Sequence, residues 1–268
     1  MDSIISHLQA ITRALPSPIA DLGVSILGPD CYSLLIHDLA FLQQAPPYPE
    51  PLTICLKFAI SKAIGLAIVG ASSIIKLPQL IKLLRSKSAA GVSVVGTMLE
   101  AASYLIMFAY AARLSFPFST YGEQSFLFIQ DILVAVLLLI YSAQTLLAVG
   151  ILLPAVAAAS YYLLLASPGP SLATLQTLQA ATIPLGLFSK LPQIVTILRE
   201  KSTGQLSAVS VFAYFFGSLA RVFTTLQEVD DNIILLGVGL GAVLNFVLVV
   251  LMIMYWNAKP VADSKKKD

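Results

Sequence analysis

Lysine, proline and glutamine recur together twice in this chain, as Lys76-Leu77-Pro78-Gln79 and Lys190-Leu191-Pro192-Gln193, each inside a long apolar run and 114 residues apart. Each residue type brings its own chemistry. Lysine offers a positive charge to an anion such as a phosphodiester. Proline lacks an N–H and leaves a carbonyl one turn earlier without its helical partner. Glutamine can hydrogen-bond either that carbonyl or the hydroxyls of a sugar. With the register held without gaps, residues 76–93 match 190–207 at nine of eighteen positions, among them Leu84/Leu198, Arg85/Arg199, Lys87/Lys201, Ser88/Ser202 and Ser93/Ser207. Bulk hydrophobicity does not produce that agreement by chance, so the motif belongs to an internal repeat.

The elements that carry these motifs must lie in lipid. Hydrophobic residues make up 57% of the chain and charged residues 11%, and the mean hydropathy is +0.86, outside the usual range of soluble domains. A crossing helix needs about 20 mostly apolar residues. From Pro51 onward the chain divides into seven such spans, at 56–83, 92–112, 125–142, 146–166, 174–198, 206–227 and 232–256. The turn between the third and fourth, near Ser142, Ala143 and Gln144, is inferred from length, because the run has almost no charge to mark it. Combined with the 114-residue offset, the expected fold is all-α and integral to the membrane. An N-terminal segment (1–55) precedes a three-helix repeat (56–142), a connector helix (146–166), a second repeat in the same orientation (174–256) and a basic tail (257–268). The first thirty residues hold Arg13 as their single Lys or Arg and are interrupted by Pro16 and Pro18, unlike a signal peptide.

Loop charge orients this arrangement. Lys82, Arg85 and Lys87, then Arg199 and Lys201, then Lys259, Lys265, Lys266 and Lys267 all fall on one side of a seven-span chain, which the positive-inside rule makes cytosolic. Glu123, Glu228, Asp230 and Asp231 fall on the other. Within the spans the balance is basic, with Lys62, Lys76, Lys190 and Arg221 against Glu100 and Asp131. Ionisable groups there are costly and face a cavity or a partner, and a basic interior suits an anionic headgroup. Parallel three-helix repeats place a substrate path at their interface, beside kinked helices, so Pro78 and Pro192 predict bends in spans one and five. Lys76, Pro78, Gln79, Lys190, Pro192, Gln193, Glu100 and Arg221 are the candidate binding or gating residues. Structural alternatives stand beside each: the lysines can extend to the interface, Glu100 and Arg221 can form an interhelical ion pair, and Gln79 and Gln193 can cap the freed carbonyls. Gln130, Asp131, Gln144 and Asn245 are expected to hydrogen-bond between helices.

The tandem proline-glutamine motifs, seven spans and serine-bearing loops resemble the PQ-loop repeat membrane proteins, which are SWEET-like in fold. Further landmarks are Ser88-Ala89-Ala90-Gly91-Val92-Ser93, Met98-Leu99-Glu100, Phe116-Pro117-Phe118-Ser119, Thr203-Gly204-Gln205-Leu206-Ser207-Ala208, Gly217-Ser218-Leu219-Ala220-Arg221 and Tyr255-Trp256-Asn257-Ala258-Lys259-Pro260. They resemble the branch of the family that serves mannose-phosphate-dolichol utilization; the first fifty residues do so only loosely. The resemblance implies a multi-pass protein of the endoplasmic reticulum with a cytosolic C-terminus. It would support the use of dolichyl-phosphate-linked mannose, and of glucose-phosphate-dolichol, in N-glycosylation and related mannosylation. Its implied partners are membrane lipid, dolichyl-phosphate sugars and lumenal glycosyltransferases. Lys265 and Lys266 look like a dilysine retrieval signal, with an orienting or lipid-binding basic tail as the alternative.

Other classes are disfavoured by what the sequence lacks. Cys31 and Cys55 are too few for a disulfide framework, and with His7 and His37 they form no metal-spaced cluster, so neither redox nor metal chemistry is expected. With no phosphate loop, HExxH or Ser/His/Asp set, enzymatic catalysis is the least expected class, and neither a cofactor nor a nucleic-acid partner is expected. Three readings remain: translocation of a lipid-linked sugar, a non-transporting chaperone or adaptor that presents such lipids to glycosyltransferases, and a carrier of small solutes such as sugars or amino acids.

Overall fold

Lipid offers backbone N–H and C=O groups no partner, so a chain of this composition must satisfy them within helices. The computed structural model describes residues 2–43, 48–89, 92–203 and 208–256, and the regular secondary structure among them is all helical. Two compact units divide the chain, residues 1–67 and 68–268.

The first unit holds α1 (Asp2–Arg13), α2 (Ser17–Leu27), α3 (Pro29–Tyr32, continuing as a π-turn to His37), α4 (Ala40–Gln43) and the beginning of α5 (Glu50–Ser72). Leu35, Ala40, Leu52 and Cys55 form its core. Gln9 Nε2 donates to the Asp38 carbonyl at 2.7 Å and Arg13 Nη2 lies 3.2 Å from Asp38 Oδ1, tying α1 to the end of the π-turn. Two sequence expectations are corrected here. Cys31 and Cys55 form a disulfide, their Cα atoms 5.1 Å apart, because the short helices fold back on the start of α5 and bring the two cysteines within bridging range. The first long helix begins at Glu50 rather than 56. Pro51 occupies its first turn, where the missing N–H would have no helical acceptor in any case.

The second unit contains α6 (Leu77–Ser86), α7 (Val94–Arg113), α8 (Phe118–Tyr141), α9 (Thr145–Leu147) and α10 (Leu153–Ser160), the last two joined and followed by π-turns, then α11 (Leu172–Glu200), α12 (Ala208–Glu228) and α13 (Asn232–Met254). Among the described residues six stretches are long and apolar enough to cross a membrane: 50–86, 94–113, 118–141, 145–165, 172–199 and 232–254. α12, in the place of the span expected at 206–227, is 21 residues long, about 31 Å at 1.5 Å per residue. Its Val211 packs with Leu248, Val249 and Met252 of α13 and Ile194 and Ile197 of α11, completing a three-helix bundle. In the first bundle Leu80 and Leu83 of α6 pack on Val134 and Leu138 of α8. Leu236, Val243, Phe246 and Ile253 line the exposed side of α13, and Asn245, Leu248 and Met252 its buried side, as a helix with one face in lipid requires.

The chain reverses after Tyr141 through Ser142 and Ala143, the latter at φ 58°. The ends of α6 and α11 repeat one another in geometry as well as sequence: Lys87 (φ 48°, ψ 34°) and Lys201 (φ 48°, ψ 36°) both terminate their helices in the left-handed conformation. That conformation costs a side-chain-bearing residue about 1–2 kcal/mol, and glycine is its usual occupant. The two proline-bearing spans, however, differ in continuity. The first is broken over residues 73–76, whereas α11 is one continuous helix through Pro184 and Pro192. Hydroxyls explain part of the difference: Ser72 Oγ and Ser73 Oγ bond back to the Val69 and Gly70 carbonyls at 2.6 and 2.7 Å and compete with the helical ladder. The residues 114 positions on, Gly186 and Leu187, have none.

Lys87→Gly and Lys201→Gly are each expected to raise stability by about 1 kcal/mol, read as a higher melting temperature in detergent, while alanine at the same positions gives no gain.

Candidate functional site

The break between α5 and α6 frees backbone groups on both sides, and one side chain takes them up. Gln130 of α8 donates from Nε2 to the Ser72 carbonyl at 2.8 Å and accepts the Lys76 N–H at Oε1 at 3.0 Å. Its amide thus replaces missing rungs of the helical ladder. The capping task considered for Gln79 and Gln193 falls to this residue instead. Among the described residues neither of those glutamines holds a side-chain hydrogen bond; Gln79 is half-buried and Gln193 exposed. Pro78, in the first turn of α6, loses no bond by lacking its N–H.

Held by this clamp, Lys76 meets two carboxylates. Its Nζ pairs with Asp131 of α8 and lies 2.9 Å from Glu100 Oε2 of α7, with the Tyr104 ring 5.6 Å away. Asp131 has 1% of its side chain exposed, Lys76 15% and Glu100 57%, so the Lys76–Asp131 contact is the desolvated one. Removing one member of a buried pair costs about 3–5 kcal/mol, because the other is left uncompensated. The expected Glu100–Arg221 pair is not formed, since the two residues stand at opposite ends of the bundle.

The positions 114 residues on from Lys76, Glu100 and Asp131 are Lys190, Tyr214 and Asn245. The fold brings these three together as well. Lys190 Nζ sits 5.2 Å from the centre of the Tyr214 ring, and Asn245 Nδ2 donates to the Tyr214 carbonyl at 3.1 Å. The geometry is repeated while the charge is not: the first set has two carboxylates around its lysine, the second none.

Between the repeats lies a cavity of about 470 Å³, walled by α7 through Gly96, Glu100, Ser103 and Met107 and by α11 through Thr182 and Gly186. A smaller cavity of about 100 Å³ continues from Met107 toward the acidic loops, lined by Gln124, Gln179, Arg221 and Thr225. At that end the repeats are tied across. Arg221 Nη2 lies 2.7 Å from Glu123 Oε2, and Nη1 donates to the Ser119 and Thr120 carbonyls at 3.2 and 3.3 Å. Ser119 Oγ bonds Glu228 at 2.7 Å. Buried Tyr110 donates to Asp231 Oδ2 at 2.6 Å, while Oδ1 of that aspartate caps α13 through the Ile233 and Ile234 N–H groups. Glu123, Tyr110, Gln124 and Gln179 were not singled out from sequence as site residues; the acidic charge of Glu123 was visible, but its partner was assigned elsewhere. Lys265 and Lys266 lie outside the described residues.

Two repeated three-helix bundles flanking an interfacial cavity define a class, and the comparisons agree. The PQ loop repeat family matches residues 60–120 and 174–234, two segments offset by the same 114 residues as the motifs. Each half of this multi-pass helical chain thus carries a segment similar to the PQ loop repeat. Solute carrier family 66 member 3 of Homo sapiens is 26% identical over 195 residues, covering 70% of this chain and 90% of that protein. The structure of a eukaryotic SWEET transporter matches the fold with a TM-score of 0.57 at 15% identity, over 75% of this chain and 97% of the other.

Lys76→Met is expected to destabilise the protein by about 3 kcal/mol or more, and adding Asp131→Asn to recover a large part of that loss, whereas Glu100→Gln costs under about 1 kcal/mol because its carboxylate is solvated. A double-mutant cycle on chemical or thermal unfolding measures the coupling.

Proposed function

We propose that this protein binds or translocates the sugar-phosphate headgroup of a dolichyl-phosphate sugar at the interface between its repeats, in support of mannose-phosphate-dolichol use, and of its glucose counterpart, in the endoplasmic reticulum. The cavity between α7 and α11 carries the reading. At about 470 Å³ it falls within the range of small-molecule sites. Its Ser103, Thr182 and Glu100 suit sugar hydroxyls, and Leu99, Met107 and Phe188 make the remaining wall apolar. A lipid-linked sugar needs both, since its headgroup must leave water while its tail stays in hydrocarbon.

The compartment has its own support. A disulfide is stable in oxidising surroundings, and Cys55 lies in the second turn of α5, at the end of span one remote from the basic loops. A lumenal N-terminal end with basic loops and tail in the cytosol satisfies the disulfide and the positive-inside rule together. A small-solute carrier is the second reading, favoured by the solute-carrier relative and by the carboxylate of Glu100 on the cavity wall. An adaptor that presents the lipid to lumenal glycosyltransferases would bind in the same place without moving it across the membrane.

Gly186 provides the test, because a Cβ built there meets no heavy atom within 4 Å, so a larger side chain enters the cavity rather than the packed interior. In liposomes, wild-type protein is expected to move the headgroup of a short-chain mannosyl-phosphoryl-polyprenol between leaflets, and Gly186→Phe to stop it at unchanged thermal stability. Binding without movement would assign the adaptor role, and counterflow of labelled free sugars or amino acids without either would assign the solute carrier.

A further inference from the structure

The repeat supplies its own control experiment for the role of its lysines. Lys76 and Lys190 occupy equivalent positions in equivalent motifs, yet Lys76 is neutralised by Asp131 and Glu100. Among the described residues no carboxylate stands within ion-pair distance of Lys190, whose ammonium rests on the face of Tyr214. The difference follows from two substitutions between the halves, Glu100 by Tyr214 and Asp131 by Asn245. Lys190 is half-buried and lies four residues beyond the midpoint of the 29-residue α11, about 6 Å along the axis. A cation at that depth needs a counter-charge. It stands one helical turn beyond Gly186, which lines the large cavity.

We infer that Lys190 is the anion-binding residue of this protein, recognising a phosphate ester one helical turn along α11 from the cavity wall at Gly186, whereas Lys76 is a structural cation that keeps the broken first helix in place. Resting on the lipid-linked reading above, this identifies the group of the headgroup that is held and the repeat that holds it. The aromatic face of Tyr214 orients the ammonium without neutralising it, as a cation–π contact does. Hence the charge stays available to a ligand, and a carboxylate at the same position would remove it.

The experiment follows from that contrast. Binding to purified full-length protein in detergent or nanodiscs is measured for three probes: a short-chain mannosyl-phosphoryl-polyprenol, the same lipid glycoside lacking phosphate, and water-soluble mannose 1-phosphate. Lys190→Gln and Tyr214→Glu, the latter rebuilding the lysine–carboxylate arrangement of the first repeat, are each expected to weaken the phosphoryl lipid about tenfold or more. They should leave the phosphate-free lipid unchanged, and Lys190→Arg should retain binding. Tyr214 is 62% exposed, so its replacement is expected to leave melting temperature unaltered. Equal binding of the phosphoryl lipid by wild type, Lys190→Gln and Tyr214→Glu would overturn the assignment of Lys190 while leaving the lipid reading intact. Binding of mannose 1-phosphate alone, with the same dependence on Lys190, would uphold the anion site and replace the lipid source by a soluble one. No binding of either phosphorylated probe by the wild-type protein would overturn both.

Discussion

A break in a membrane helix is tolerable only where another group takes up the backbone hydrogen bonds it frees. At residues 73–76 that group is the carboxamide of Gln130, which bonds the Ser72 carbonyl on one side and the Lys76 N–H on the other. Everything at the basic-loop end of the first repeat depends on it. The clamp sets where α6 leaves α5, and this brings Lys76 onto Asp131 and Glu100; the same contacts hold α8 and α7 around the break. An amide is well suited to the task, since it presents a donor and an acceptor on one rigid plane. A hydrocarbon of equal size, as Leu244 is at the equivalent place in the second repeat, could pair neither group, and there the helix continues unbroken.

The two halves therefore share a backbone plan and divide the polar work. In the first, buried charge is compensated internally and holds a distorted helix. In the second, the helix needs no such support and the equivalent lysine keeps its charge. At the acidic-loop end the division disappears: Arg221 with Glu123, Glu228 with Ser119 and Asp231 with Tyr110 tie one repeat to the other. Cross-repeat polar ties thus gather at the acidic-loop end, around the smaller cavity, while the larger cavity lies between α7 and α11.

Much of this was legible in the residues. The 114-residue offset, the seven runs of apolar sequence and the turn at Ser142–Gln144 require only local pattern and length, which chemistry near each position dictates. Gln130, Asp131 and Asn245 were readable as interhelical hydrogen bonders because a polar group in lipid must find a partner. Partner identity was less accessible. Arg221 was paired with Glu100 on charge alone, although the fold places Glu123 beside it. The cysteines were judged by number rather than by proximity, and their meeting depends on how short helices fold back on α5. Equal proline motifs gave no sign that one span is broken and the other continuous, because the break depends on the serines behind one proline and on Gln130, a residue in a different helix.

By itself the sequence determined the class of this protein, its repeat, its crossing segments and the sign of charge at each end, because hydropathy and periodicity act over a few residues and need no knowledge of what lies opposite. Only the tertiary structure decided which lysine is neutralised, which helix breaks and where the cavity lies. Those are matters of distance between residues 24 to 121 positions apart along the chain, and electrostatic and hydrogen-bond energies fall to nothing unless the packing of the helices brings the two groups within a few ångströms of one another.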